Sequence, residues 1–553
     1  MVISSSPPSP SLSRSFLNLN IDLDYFLSRI LSRPGSLLRS FLLSPSPRPF
    51  LSLFRFLRPP YDPKLDLMAK LGMAISLLQF VLGSANVLTI ASLLALHVSF
   101  LSVGGVFQAF GWELFLKELL FTTAFMVPLF SLNPLPPSLP VPAAPMFLCR
   151  WLIFRVMFGS GLIKFRAGDE KWKKATAMNY FYETMPAPNP LSKAMHRLPK
   201  FQHVFEVLTN HFVELVLPWF FILPVSRTLR QGAGLLTILF QAALIASGNF
   251  SYLNHLAIVP CIWMFDDAAL SALFTSTSVF KSFLASYLAI NVSSPSLLPV
   301  RSLVNGVLVL AVARLSVPVI RNMASKNQTM VATFGPIGLV NSYGAFGVVS
   351  EQRNELIISG RGDDGIWREF EWKSKPGDVN GKLKFFSPYH HRLDWCFWLA
   401  AFAPVERSPW LLRLLLKLLE NDGSMDALMK GKGGEGNPFR DSGGGEGEGE
   451  GEGGGEGAGG RGALQEIKVE KWKYEFNYKK KKASDTENKN AKEGEKENED
   501  GDGEETDAAA GQVEHGTTWS RELLGTYAPL RNAGGGEGYK REELEKLLAA
   551  GSG

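Results

Sequence analysis

The sequence predicts a mainly α-helical, polytopic membrane bundle followed by a mixed α+β soluble C-terminal domain with disordered inserts, and three observations carry that expectation. Apolar runs of bilayer length recur from residue 65 to residue 320, roughly eight or nine of them, and stop there. The 553 residues are 46% hydrophobic and 11% aromatic, yet mean hydropathy is only +0.05, so a polar tail offsets an apolar first part. That tail contains a Gly-Glu repeat over 443–457 and a charged run over 479–511, neither with residues that build a core.

Residues 1–64 are rich in Ser, Pro, Leu and Arg and hold no Lys before Lys64. They read as a transit-like organelle address, or equally as a disordered or divergent N-terminal extension. A multi-span membrane domain is expected over 65–321, with a central loop at 164–200. Its first apolar segments are 67–82, 87–107 and 112–132. In the third, Glu113 and Lys117 are four residues apart on one helical face, the spacing of a local ion pair. Pro134, Pro136 and Pro137 then open a stiff loop.

The helix over 146–164 carries Arg150 and Arg155 at bilayer depth, where charges need partners inside a bundle. Gly159-Ser160-Gly161 is expected to break it. The apolar segment 204–223 carries Glu206, Asn210, His211 and Glu214, with Glu206, Asn210 and Glu214 along one stripe and His211 at its margin. These six residues form an expected intramembrane charge network, the acids serving as counterparts for Arg150 and Arg155. A membrane enzyme working through the same Glu, His and Arg residues is the alternative reading. Segment 229–247 is a clean span. Segment 249–265, interrupted by Asn254, His255 and Pro260, reads as re-entrant or interfacial, and 270–290 and 301–320 complete the set.

A soluble C-terminal domain is expected over 322–440. Residues 331–373 read as strands and turns, and 393–402 and 410–419 as amphipathic helices. A Gly/Glu linker at 441–463, a strand at 464–478 returning to that domain, the charged insert 479–511 and a C-terminal end at 512–553 follow. Trp472, Tyr474, Phe476 and Tyr478 alternate with charged or polar residues, the period of a strand.

Several function classes are excluded. A net charge of +5 spread along the chain makes no nucleic-acid stripe. Cys149, Cys261 and Cys396 lie far apart without a CxxC, which removes thioredoxin-like exchange and cysteine-rich zinc modules. There is no Walker-type loop, HExxH or GxSxG elbow, so catalysis has no motif behind it, and no cofactor or metal is expected. His390 and His391 beside Asp394 read as packing residues.

The run RWLIFRVMFGSGLIKFRAGDEKW (150–172), then NYFYETMPAPNP, FEVLTNHFVELVLPWF, LFQAALIASGNFSYLNHLAIVP and FDD, resembles the lipase maturation factor family. NSYGAFGVV, FEWKSKPGD, SPYHHRLDWCFWLAAF and NPF resemble that family's C-terminal blocks in the same order, so the likeness covers about 112–439. It implies a multi-pass protein of the endoplasmic reticulum membrane that supports folding of secretory client proteins, lipases foremost. A plastid or mitochondrial membrane is the alternative that the N-terminal segment suggests. The resemblance also implies a lumenal central loop, although its basic residues would favour the cytosol by the positive-inside rule. Lumenal aromatic surface would then hold clients, the candidates being Trp172, Tyr180, Phe181, Tyr182, Trp367, Trp372, Trp395 and Trp398. A lumenal tail selects Asn327 as the N-glycosylation acceptor over Asn291, on the other side of one span. Asn249, also in a sequon, is too near a helix to be a good acceptor.

Overall fold

The computed structural model describes residues 52–53, 62–130, 141–274, 298–335, 337–404, 407–431, 436–439, 464–478, 518–527 and 539–550. The 441–463 linker, the 479–511 insert, Asn291, most of 1–64 and 270–290, and part of 512–553 lie outside these residues. The chain forms two compact units. The first draws on the chain up to Lys174, on Val207–Ala242 and on Leu253–Val348; the second on Ala175–Glu206, on Ala243–Tyr252 and on the chain from Val349 onward.

The first unit is helical. Helices α1 (Asp62–Leu82) and α2 (Val87–Val103) form a hairpin closed by Asn86, whose side chain accepts from the Thr89 amide while the Thr89 hydroxyl returns a bond. Met68 and Leu96 join them, flanked by Leu65, Ile75 and Phe100. Then come α3 (Gly111–Thr123) and α4 (Ala143–Arg166). Helix α5 (Lys200–His211) continues through a π-helical turn, Phe212–Val216, and a last turn, Trp219–Ile222. Helices α6 (Arg227–Ser247), α7 (Leu253–Cys261) and α8 (Leu298–Ala324) follow.

Among the described residues five helices are long and apolar enough to cross a membrane: Pro63–Leu82, Ala143–Arg166, Lys200–Ile222, Arg227–Ser247 and Pro299–Ala324. Val87–Val103 and Leu253–Met264 are shorter apolar helices. Of the expected eight or nine segments the described residues thus hold five long helices and two short ones, with 112–132 starting in the 13-residue α3 and 270–290 mostly outside the described residues. Helix α4 is the central one. Of its apolar window 67% is buried, against 22% for α6 and α8, and Phe154 stacks between Trp151 and Phe158 with Trp219 edge-on.

One local expectation is corrected. The Gly159-Ser160-Gly161 stretch does not break α4, which runs unbroken through it; its glycines admit neighbours instead. Segment 249–265, expected to be re-entrant or interfacial, holds the short apolar helix Leu253–Met264. It runs back along α6 to that helix's start, where the Arg230 Nε donates to the Met264 carbonyl at 3.1 Å and Arg227 pairs with Asp266 at 2.5 Å.

Residues 331–348 also depart from the expected strands, with only an isolated bridge between Ala332 and Ser342. Their backbone groups are hydrogen-bonded to helical side chains: Arg155 takes the Asn341 carbonyl and Trp172 the Phe346 carbonyl. Groups committed that way cannot also serve a ladder.

The second unit is built on an antiparallel sheet of order β2-β1-β3-β4, from β1 (Arg353–Arg361), β2 (Trp367–Glu369), β3 (Glu466–Phe476) and β4 (Trp519–Thr526). Alternation along β3 puts Tyr474 and Phe476 in a core with Ile357 and Trp519. Helices α9 (Arg392–Ala400) and α10 (Pro409–Leu419) fall where the periodicity placed them. Leu411, Leu412, Leu414, Leu415 and Leu418 of α10 are buried, and α11 (Arg541–Ala550) packs against it.

Candidate functional site

Among the described residues the apolar bundle holds two buried ion pairs, and both are built on α4. Glu118 of α3 is 4% exposed and Arg155 of α4 is 2% exposed. The Arg155 Nη2 donates to Glu118 Oε2 at 2.6 Å. Glu118 Oε1 further accepts from the Asn341 amide (2.7 Å), the Asn341 Nδ2 (2.8 Å) and the Tyr343 hydroxyl (2.7 Å). Arg155 Nη1 in turn donates to the Asn341 carbonyl at 2.7 Å. A charge pair in a low-dielectric interior is favourable only when its remaining lone pairs and protons are satisfied. The NSYGAFGVV stretch supplies that satisfaction.

The second pair is Lys164 of α4 with Glu214, its Nζ lying 2.8 and 2.6 Å from the two carboxylate oxygens. Glu214 sits in the π-helical turn Phe212–Val216. A Cβ on Gly161 would stand 2.6 Å from the Leu215 side chain and 3.0 Å from the Glu214 Cβ, so the helices approach this closely only over a glycine. Gly159 does the same for the 341–349 stretch, where a Cβ would lie 2.3 Å from the Tyr343 carbonyl oxygen. Lys164 also lies 5.0 Å from the centre of the Trp172 ring.

The six residues expected to form one intramembrane network are therefore distributed among different partners. Arg155 meets Glu118, and Glu214 meets Lys164. Arg150 donates through Nε to the Trp263 carbonyl at 2.7 Å. Glu206 belongs to the second unit and lies 3.0 Å from His203. His211 Nε2 is 3.1 Å from the Trp172 carbonyl, and Asn210 is half-buried beside it. The reason is helical geometry. Helices α4 and α5 run antiparallel, with Gly161 level with Leu215 and Phe154 with Trp219. Arg155 lies about 13 Å along α4 from Lys164, out of reach of Glu214. The local Glu113–Lys117 pair is not made either: Lys117 Nζ donates to the Ile337 carbonyl at 2.7 Å, and the Glu113 carbonyl accepts from His97.

In the second unit a buried arginine holds the proline-rich loop. Arg353, 1% exposed, donates to the carbonyls of Glu183 (2.9 Å), Met185 (2.5 Å) and Pro186 (3.1 Å). It also pairs with Glu355 at 2.7 Å and lies 5.5 Å from the centre of the Trp519 ring. The Trp398 Nε1 donates to the Thr184 carbonyl at 2.9 Å and the Phe476 amide to Glu183 at 2.5 Å. Burial pushes the Glu183 carboxyl upward, only partly countered by that amide.

The aromatic residues expected to offer client surface are mostly interior, which corrects that expectation. Trp172, Phe181, Tyr182, Trp372 and Trp395 are between 2% and 7% exposed; Tyr180, Trp367 and Trp398 are half-buried. Phe181 stacks on Phe250, Tyr182 lies against His203, Trp372 against Phe397 and Trp395 against Trp398. Trp367 is covered by Arg361 and Lys468. Open to solvent instead is a groove of about 370 Å³ lined by Pro190, Lys193, Ala194, Arg197, Lys382, Leu383, Tyr478 and Thr518. Lys193 and Arg197 stand 5.5 and 5.2 Å from the centre of the Tyr478 ring, and partial burial lowers the Lys193 ammonium.

Asp394 accepts from the Ser374 amide (2.6 Å), the Ser374 hydroxyl (2.5 Å) and the Lys375 amide (3.0 Å), while burial raises its carboxyl. His390 is hydrogen-bonded to Ser251 Oγ at 2.8 Å, and burial drives its imidazole down to about 3. Among the described residues no group of three or more His, Cys, Asp or Glu side chains could hold a metal ion. Asn249 is 1% exposed and spent on the backbone of 384–387, whereas Asn327 is exposed just beyond α8.

Comparison with known proteins gives a consistent result. The profile described as lipase maturation factor transmembrane domain matches residues 39–272, and that described as lipase maturation factor C-terminal domain matches 339–495. The chain is 43% identical over 378 residues to lipase maturation factor 1 of Mus musculus, covering 66% of this chain and 65% of that one. It is 42% identical over 380 residues to lipase maturation factor 1 of Bos taurus, covering 66% and 67%. To lipase maturation factor 2 of Rattus norvegicus it is 28% identical over 454 residues, 64% of each. The matched stretch thus spans about two thirds of these relatives' length. No solved structure matches.

Proposed function

The chain belongs to the lipase maturation factor family, and we propose that it is an endoplasmic reticulum membrane folding factor that helps secretory clients, lipases in particular, reach an active assembled state. The observation that carries this reading is the make-up of the second unit, which joins residues 175–206 and 243–252 to the chain from Val349 onward. Loop and tail residues that pack together, as Arg353 does with the carbonyls of Glu183, Met185 and Pro186, lie on one side of a bilayer. The central loop and the tail then share one compartment, and a maturation factor needs that compartment to be the lumen, where immature clients are.

The passes of the first unit agree with this sidedness. Trp172 donates to the Phe346 carbonyl, and His211 is bonded to the Trp172 carbonyl, so residues 172, 211 and 346 meet at one end of the bundle. From there α5 leads away and α6 returns. Segment 253–266 leads away again to Arg227, and α8 runs parallel to α4, with Trp151 bonded to Ser316 and Arg166 to the Met323 carbonyl. Among the described residues that makes four passes between loop and tail, an even number that leaves both on one side. This counts 253–264 as a pass; segment 270–290, which the sequence suggested, lies mostly outside the described residues.

Both intramembrane carboxylates with cationic partners are occupied by them, which favours a scaffold over an enzyme working through Glu214 and His211. We place client contact at the groove around Lys193, Arg197 and Tyr478, where a client segment meets cations beside an aromatic face. The test is secreted lipase activity from cells lacking the chain, with and without its return. Restoration of lipase activity, with an unrelated secreted enzyme unaffected throughout, is expected. Equal lipase activity in both cases, or equal loss of both enzymes, would overturn the reading.

A further inference from the structure

Helix α6 has 21 residues, a length of about 31 Å at the helical rise, which matches a hydrocarbon core of about 30 Å. Its last residue, Ser247, therefore marks a boundary of that core. Asn249 and Ser251 follow within a few residues, at the depth of the lipid headgroups.

These two residues grip a loop of the C-terminal sequence. Asn249 Nδ2 donates to the Lys384 carbonyl at 2.9 Å, and its Oδ1 accepts from the Phe386 amide at 3.1 Å. The Ser387 hydroxyl donates to the Ser251 carbonyl at 3.0 Å, and Ser251 Oγ is bonded to His390. The loop is thereby fixed at headgroup level, and it turns two large aromatics outward. Phe385 is 62% exposed and Tyr389 64%, with Lys382 and Lys384 exposed alongside. Aromatic rings beside lysines are what a bilayer interface accommodates: rings at the boundary between acyl chains and headgroups, ammonium groups among the phosphates. In water the same two rings would be unsupported apolar surface.

We propose that the 382–391 loop is an interfacial anchor, with Phe385 and Tyr389 seated in the membrane surface and Lys382 and Lys384 reaching lipid phosphate. It fixes the second unit against the bilayer independently of any client.

The test is nitroxide labelling of F385C and Y389C in the full chain reconstituted into phosphatidylcholine vesicles, with and without phosphatidylserine. Cys149, Cys261 and Cys396 are at most 2% exposed and leave the introduced thiols as the reactive ones. I366C, at the exposed turn before β2, serves as the aqueous control. At 385 and 389 the ratio of oxygen to nickel-chelate collision rates is expected to exceed that at 366 by several-fold. Ratios equal to the control would overturn the proposal. So would labels shielded from both reagents, because protein and not lipid would then cover the loop.

Discussion

Arg155 in the first unit and Arg353 in the second are both almost fully buried, and both tie a helix or strand to a distant irregular stretch, but they are neutralised differently. Arg155 faces a carboxylate that is itself saturated by Asn341 and Tyr343. Arg353 spends its guanidinium largely on three neutral carbonyls of the proline-rich loop, with Glu355 beside it. Where lipid surrounds the bundle, a charge needs a counter-charge in the next helix. Where water surrounds a sheet, a cation can serve as a multiple donor holding loop backbone in place. In each case the motif blocks separated by more than a hundred residues are two halves of one buried contact.

The largest effect is expected from removing half of the Glu118–Arg155 pair. E118L leaves an uncompensated buried guanidinium and should cost about 3–5 kcal/mol, read as a lower unfolding temperature and reduced abundance in membranes. Replacing both residues by leucine should recover part of that loss. A single variant as stable as the parent would erase the contrast between the two arginines.

R353M is expected to cost less, about 3 kcal/mol, because the three abandoned carbonyls are neutral, at about 1–3 kcal/mol each with losses that do not add, and Glu355 keeps Lys375 at 3.4 Å as a counter-charge. Limited proteolysis should open selectively within 183–190. Cleavage elsewhere with that loop intact would contradict its role as a clamp.

Smaller still are the alanine substitutions at the two glycines, about 1–3 kcal/mol. G159A should be the worse, since the obstacle is the Tyr343 carbonyl, whereas G161A meets a Leu215 side chain that can turn aside. Thermal unfolding of the two variants ranks them, and the reverse order would show that the 341–349 stretch yields more easily than α5.

The mildest effect is a pH dependence. His390 is held neutral, its folded value near 3 lying below the ordinary 6.5. A depressed imidazole contributes stability that is fully present above 6.5 and is lost as pH falls towards 3, because only the unfolded chain takes up the proton in that window. H390N should flatten this acid limb of the second unit's unfolding curve, and an unchanged limb would assign it to other groups.

Much of this architecture was legible in the sequence. Span-length apolar runs located α1, α4, α6 and α8, and the alternation at Trp472, Tyr474 and Phe476 located β3, because periodicity reports directly on which face is buried. The partners of the charges were not legible. Glu118 and Lys164 were passed over in favour of residues on one stripe of α5, since a single helix shows its own face but not the register of its neighbour. Segment 331–348 misled for a related reason. Its apolar residues fit strands, yet its backbone bonds go to Arg155 and Trp172, which lie far away in sequence. The client aromatics failed because composition cannot tell an exposed ring from a core ring.

Sidedness is the central claim, and N-glycan mapping in sealed microsomes tests it most directly. Acceptor sites introduced singly into the central loop at 190–199 and into the tail at 479–511 should both be modified and both be protected from added protease, with native Asn327 as a further acceptor. Modification of one site with protease reaching the other from outside would put loop and tail on opposite sides of the membrane and contradict the account.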